Sequence, residues 1–303
     1  MHRFDNTALC DWFCTGKATA RHTLGLRGKE PKIAAWVGNS VHDGLEVHFG
    51  GGNGLESEGA FYNTYHRLIM EPGYVVEEDR LGLENVRKIF KHYIMRHPVD
   101  QFQWEIIELE KSAGVRVTDA WEFWFKRDML LRGKDGFFYP LDNKTTGRVN
   151  QWWAKDFNYS SQMSGYCWAT ERERGTPCSG AYINAIELGL LPSGVKKCSV
   201  HKVSKDECAL NHTNYQIFHT ARTPEQIKAW LAQACSLAAK AIFAGTAYGS
   251  LELLQYAPRE GQFIYKGCSG CEFGKWCRLN FEPGMVDEFT VLDPWAPWLE
   301  QKS

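Results

Sequence analysis

The spacing of apolar positions changes partway along the chain. The first hundred residues read as largely helical. Asn39 or Ser40 is placed to cap a helix through Val41–Val47, which the glycine-rich run 50–54 ends. Residues 56–70 and 80–96 read as two further helices. Beyond residue 105 the period falls to two. Ile106–Glu110, Ala120–Leu131 and Phe137–Lys144 alternate and are rich in aromatic and β-branched residues, with turn signals at Gly114 and Gly133–Gly136. They predict consecutive strands of a meander. A helix is expected from about Trp152 to Arg172, then a strand at Ala181–Leu188 and a polar, irregular excursion over 191–213. Tyr215–Ala221 predicts another strand, and Thr223-Pro224-Glu225 opens a helix reaching about Phe243. The expectation is a mixed α/β core with helical cover, organised as one domain. Residues 1–100 form its mainly helical part, 101–245 its core and 246–303 a cysteine-bearing C-terminal segment.

Composition narrows the class. A chain of 303 residues, 44% hydrophobic, can build one large core or two modest ones. No apolar stretch of membrane-spanning length and no basic-then-apolar start is present, so neither a span nor a signal peptide is expected. Ten cysteines without a secretory signal point to a reducing, cytoplasmic compartment, where thiols serve metals more often than disulfides. With a net charge of −1, binding to DNA must come from local basic clusters and metal ions. No Gly-x4-Gly-Lys-Ser/Thr phosphate loop occurs, which excludes a helicase motor.

The strand Phe137–Lys144 ends Asp142-Asn143-Lys144-Thr145, and alternation puts Asp142 and Lys144 on one face. Hairpin pairing would bring Asp128 of the preceding strand beside Asp142. Two carboxylates suit a hard divalent cation, Mg²⁺ or Mn²⁺, and an ammonium beside them can neutralise developing negative charge. Alone, Asp-x-Lys reads more readily as a surface ion pair. Gln162 and Tyr166 share a helical face, and His42 is a third ligand type. Lys126, Arg127, Arg132, Lys134, Arg148 and Lys155 are local DNA-contact candidates, with Trp152 and Trp153 stacking ones.

The order Gly38-x-x-x-His42, Asp128, Asp142-Asn-Lys144-Thr145, Gln162-x-x-x-Tyr166 resembles the RecB-like branch of the PD-(D/E)XK nucleases. That resemblance implies a restriction-endonuclease-like mixed sheet. His42, Asp128 and Asp142 would hold the metal, Lys144 would be the catalytic lysine, and Gln162 and Tyr166 would position the strand or the site. The implied activity is a metal-dependent DNA exonuclease acting on single strands or ends in recombination or repair, with a recombination or replication partner. Two other classes stay open: a non-catalytic DNA-binding adaptor keeping the fold, and an iron–sulfur redox protein. Glu108 or Glu110 could join the site, but alternation alone does not say which.

The C-terminal run Cys268-x2-Cys271-x5-Cys277 has ligand spacing in a polar, glycine-rich loop. It resembles the iron–sulfur nucleases of the AddB type and the CRISPR-associated RecB-like exonucleases. There, one cysteine before the core completes the set. Cys14 fits that place, with Cys10 the runner-up. The resemblance favours a [4Fe–4S] cluster over Zn²⁺, as a staple joining the N- and C-terminal segments. Cys167, Cys178, Cys198, Cys208 and Cys235 are expected to pack or lie at the surface.

Overall fold

The computed structural model describes residues 1–29, 31–96, 104–189, 196–197, 202–204, 214–263, 268 and 271–291. Cys198, Cys208 and most of the 191–213 excursion lie outside them. In chain order the elements begin β1 (His2–Phe4), α1 (Asn6–Asp11), α2 (Thr15–Ala18), β2 (Leu26–Gly28), α3 (Ile33–Phe49), α4 (Gly54–Tyr65) and α5 (Leu83–Arg96). Three strands follow: β3 (Glu105–Arg116), β4 (Trp121–Arg132) and β5 (Phe138–Thr146). Then come α6 (Gln151–Asp156), α7 (Ser161–Arg174), β6 (Gly180–Glu187) and β7 (Tyr215–Ala221). The last are α8 (Pro224–Ala247), α9 (Leu251–Leu254), α10 (Gly274–Arg278) and β8 (Phe289–Val291).

Space groups these elements differently from sequence. One compact unit comprises Met1–Glu30, Ser112–Lys126 and Pro224–Ser303; the other comprises Pro31–Lys111 and Arg127–Thr223. The chain passes between them along β3 and β4.

In the second unit the strands run β4-β5-β6-β7, with β3 also on β4. β4/β5 and β6/β7 are antiparallel, whereas β5/β6 is parallel, so the sheet is mixed. A tight turn joins β4 to β5: Gly136 takes φ +83, which glycine adopts without penalty, and the Asp135 carboxylate accepts from the Phe137 N–H. Val37, Val41 and Leu45 of α3 pack against Phe61 and Tyr65 of α4, Phe90 and Tyr93 of α5, and Leu141 and Ile186 of the sheet. Each such side chain contributes about 1.5–3 kcal/mol when fully buried.

Three boundaries depart from the sequence expectation. α3 begins at Ile33, so Asn39 and Ser40 lie inside it; Val37 extends its apolar stripe upstream, and the Ser40 hydroxyl donates to the Trp36 carbonyl. Gly114 is not a turn but an interior position of β3, bare because a Cβ there would come within 2.7 Å of the Trp124 indole. The helix expected over 152–172 is two helices. Ser160 is extended and caps α7 by accepting from the Met163 N–H, while Asn150 caps α6 by accepting from Trp153.

In the first unit β1 pairs in parallel with Trp121–Phe123, and Phe123 meets Trp230 of α8 edge to face. β2 pairs antiparallel with β8, Leu26 opposite Val291. Arg21 pairs with Glu272, whose carboxylate also accepts from the Gly28 N–H. Leu26, Phe273, Trp276, Phe281 and Phe289 form one apolar cluster over this junction. A ladder, an ion pair and a small core therefore join the chain's first and last segments, independently of any group on the cysteines.

Candidate active site

The β4/β5 register, Met129 opposite Leu141, continues one step to set Asp128 opposite Asp142. The Asn143 N–H donates to Asp128 Oδ2 at 2.6 Å, fixing that carboxylate from the neighbouring strand. Both aspartates are buried. His42 is delivered by α3, its Nδ1 3.3 Å from Asp128 Oδ2. Gly38, one turn earlier, explains how α3 gets so close: a Cβ there would stand 3.1 Å from the Thr145 hydroxyl of β5. Lys144 Nζ lies 2.6 Å from Asp142 Oδ2. From α7, the Gln162 amide donates to the Tyr166 hydroxyl at 2.9 Å and to Asp142 Oδ1 at 3.4 Å. His42, Asp128, Asp142, Lys144, Gln162 and Tyr166 thus meet in one place.

Glu110 joins them. Its carboxylate, with His42 and Asp128, offers ligand atoms lying within 4.8 Å of one another. Strict alternation would set Glu108 and Glu110 on the same face, yet Glu108 goes to Arg127, Lys111 and Arg174 instead. The break is local: Glu110 has φ +45, left-handed backbone inside a strand. Such a conformation costs a non-glycine residue roughly 1–3 kcal/mol and gathers at functional sites. A two-residue period carries no sign of it; only the acidic pair Glu108-x-Glu110 itself hinted at the position.

The charges are mutually adjusted. Burial raises the carboxyl of Asp142, as does nearby Asp128, against the pull of Lys144. Burial opposes ionisation of Asp128 too, but His42, the Asn143 N–H and Lys144 bring it below the usual carboxylate range. Burial disfavours the imidazolium of His42, and the two aspartates override it, raising His42 to about 9. Lys144 is likewise raised: burial works against its charge, and Asp142 more than compensates. Burial, then Asp142 and Asp128, push the Tyr166 phenol well up. The carboxylates of Asp128 and Asp142 are therefore balanced by His42 and Lys144.

The donor set fits a divalent cation. Asp142 Oδ2 is a buried carboxylate oxygen whose close partner among the described residues is the Lys144 ammonium, 2.6 Å away. His42, Glu110 and Asp128 supply the mix of imidazole and carboxylate that manganese or magnesium takes.

Arg127 does not reach the surface. It is fully buried, its guanidinium held by Glu108, Glu173 and the Thr170 hydroxyl, so it is unavailable to a DNA phosphate. Thr170 and Glu173 come from α7 and Glu108 from β3. Arg148 and Trp152 are exposed.

In the first unit, Cys14 and Cys268 face one bare glycine: a Cβ on Gly261 would lie 3.2 Å from the Cys14 sulfur and 3.8 Å from that of Cys268. Burial raises the thiols of Cys271 and Cys277, and Cys14 and Cys268 raise both further, while Lys17 favours thiolate at Cys271 and Arg259 at Cys277. The four thiols are thus neighbours in the first unit, with Lys17 near Cys271 and Arg259 near Cys277. The Cys10 thiol is directed at the Asn6 side chain. Cys167 and Cys178 are buried.

A family model for the PD-(D/E)XK nuclease superfamily matches residues 13–278. No curated protein matches the chain.

Proposed function

Because the chain belongs to the PD-(D/E)XK nuclease superfamily, whose members cleave nucleic acid with divalent metals, we propose that it is a DNA exonuclease. It would act on single strands or ends in recombination or repair. The observation that carries this reading is the convergence of His42, Glu110, Asp128 and Asp142 beside a charged Lys144. Those four residues would hold Mg²⁺ or Mn²⁺. When bound, the ion supplies a Lewis acid that polarises the scissile phosphate and lowers the pKa of attacking water. Lys144, protonated by its pairing with Asp142, donates to the phosphate oxygens and offsets the negative charge that grows there. Gln162 holds Asp142 and Tyr166 in register with each other. Asn143 fixes Asp128 through its backbone and leaves its side chain to Asn184 on β6. Arg148 is a phosphate contact on the same segment of chain as Lys144.

Cys14, Cys268, Cys271 and Cys277 would hold a [4Fe–4S] cluster, with Zn²⁺ the alternative. Its part is structural, reinforcing a junction that β2 and β8 already make.

The exonuclease reading is tested with one labelled single strand prepared in linear and covalently closed forms, incubated with Mn²⁺, Mg²⁺ or EDTA. An exonuclease degrades only the linear form, and only with metal. Cutting of the closed circle makes it an endonuclease, and no cutting of either form by cluster-loaded protein removes the enzyme reading.

A further inference from the structure

Residues 147–160 leave β5 three positions after Lys144 and enter α7 two positions before Gln162, so both ends of this segment are anchored in the candidate active site. Its inner side is well packed. Trp153 stacks edge-on with Phe157 and Phe218, and the Val149 N–H donates to buried Glu187. Adjacent residues on a helix project about 100° apart. With Trp153 docked, Trp152 is therefore turned outward, 76% exposed. Tyr159 is 89% exposed.

One exposed aromatic needs no explanation. What separates these two is their setting: Trp152 lies next to the packed Trp153, and the backbone on both sides of Tyr159 is tied down. Arg222, itself buried, donates to the carbonyls of Phe157 and Ser160, on either side of Tyr159, and to the Ser164 hydroxyl of α7. The Thr220 hydroxyl adds a bond to the Phe157 carbonyl. A buried guanidinium thus fixes the turn that presents an apolar ring to water. The ammonium of Lys155 sits 4.6 Å over the Trp152 ring. The segment carries Arg148 and Lys155 against a single acid, Asp156, in a chain of net charge −1. Arg80 lies beside it at Gly147.

We propose that Trp152 and Tyr159 form a stacking ledge for the bases of an unpaired nucleic-acid strand, with Lys155 and Arg148 along its phosphates. The proposal rests on the nuclease reading for the choice of nucleic acid. The ledge makes the preferred substrate single-stranded, because a duplex keeps its base faces stacked on one another and out of reach. Preorganised rings bind with little ordering cost, and rings accept any base, so the ledge grips a strand without reading its sequence.

The test is equilibrium binding of a fluorescein-labelled oligothymidylate, followed by anisotropy in EDTA so that no cleavage intervenes. An abasic strand of equal length is the comparison. Wild-type protein is expected to bind the thymidine strand at least tenfold more tightly than the abasic one. Trp152→Ala and Tyr159→Ala should each cost about tenfold on the thymidine strand. The double variant should bind both strands alike, and Trp152→Phe with Tyr159→Phe should keep most of the affinity. Equal binding of both strands by wild-type protein, or alanine variants with wild-type affinity, overturns the ledge, as does failure of the wild type to bind either strand. In those cases the rings serve a protein partner or nothing. Because this readout needs no catalysis, a protein that binds as expected yet never cuts DNA would retain the ledge and lose the nuclease reading.

Discussion

At the scale of single residues, the proposed active site would depend on a few groups whose roles are separable. Gln162 touches Asp142 without being a ligand candidate itself, so it acts through that carboxylate. Gln162→Ala is expected to weaken Mn²⁺ binding about 10–100-fold, the usual cost of losing a group that orients a ligand, as read by titration calorimetry. Glu110 combines a useful carboxylate with an unfavourable backbone. Glu110→Gly should therefore lose Mn²⁺ affinity while raising the metal-free protein's stability by about 1 kcal/mol, visible as a higher Tm. An unchanged affinity would remove Glu110 from the metal site. The other site residues were legible in the sequence because each sits at a position that local periodicity fixes. Asp142 and Lys144 alternate on a strand, Gln162 and Tyr166 lie one turn apart, and Asp128 follows from the hairpin. Glu110 was not, since its placement depends on a backbone conformation that hydrophobic pattern does not encode. Arg127 misled for a related reason: the sequence shows its charge but not Glu108, Glu173 and Thr170, which come from other elements to bury it.

At the scale of elements, α3 and β5 must approach closely for His42 to meet Asp128. Gly38→Ala would improve helix propensity by up to about 1 kcal/mol yet put a methyl 3.1 Å from the Thr145 hydroxyl. The expected result is weaker Mn²⁺ binding despite an unaltered or higher Tm, with Thr145→Ala restoring affinity in the double variant. A second element-level device lies in α1 of the first unit. Asp11 is buried, and although burial resists its charge, His22 and Lys17, with Arg21, hold its carboxyl well below the usual range. A lowered folded-state pKa contributes stability above the unfolded value, near 3.9, and loses it as pH falls further. Asp11→Asn should cost about 2 kcal/mol at pH 7, and in denaturant titrations the gap to wild type should close below pH 4. The strands β4 to β7 and the helix α8 were readable from alternation and from Pro224, whereas β3 was cut short at Gly114 and the three-residue strands β1, β2 and β8 are too short to show a period. The α6–α7 break was not, although Asn150 and Ser160 are both capping residues, because the apolar residues between them continue a helical pattern across it.

For the molecule as a whole, the candidate metal-site residues and the four cysteines proposed as ligands fall in different compact units, with His42 and Asp128 in one and the cysteines in the other. Cys14→Ser is expected to abolish the visible absorbance of an anaerobically reconstituted iron–sulfur protein, whereas Cys10→Ser should leave it intact. The reverse result would reassign the fourth ligand. No helix among the described residues is long and apolar enough to cross a membrane. We propose that a divalent ion held by the convergent carboxylates and His42, with Lys144 beside it, hydrolyses phosphodiesters. That activity is tested most directly by single-turnover digestion of an end-labelled single strand with Mn²⁺, comparing wild type with Lys144→Ala and Asp142→Asn. The account predicts metal-dependent cleavage slowed at least about 100-fold by either substitution, with strand binding retained by Lys144→Ala. Cleavage that persists at the wild-type rate in both variants would contradict it.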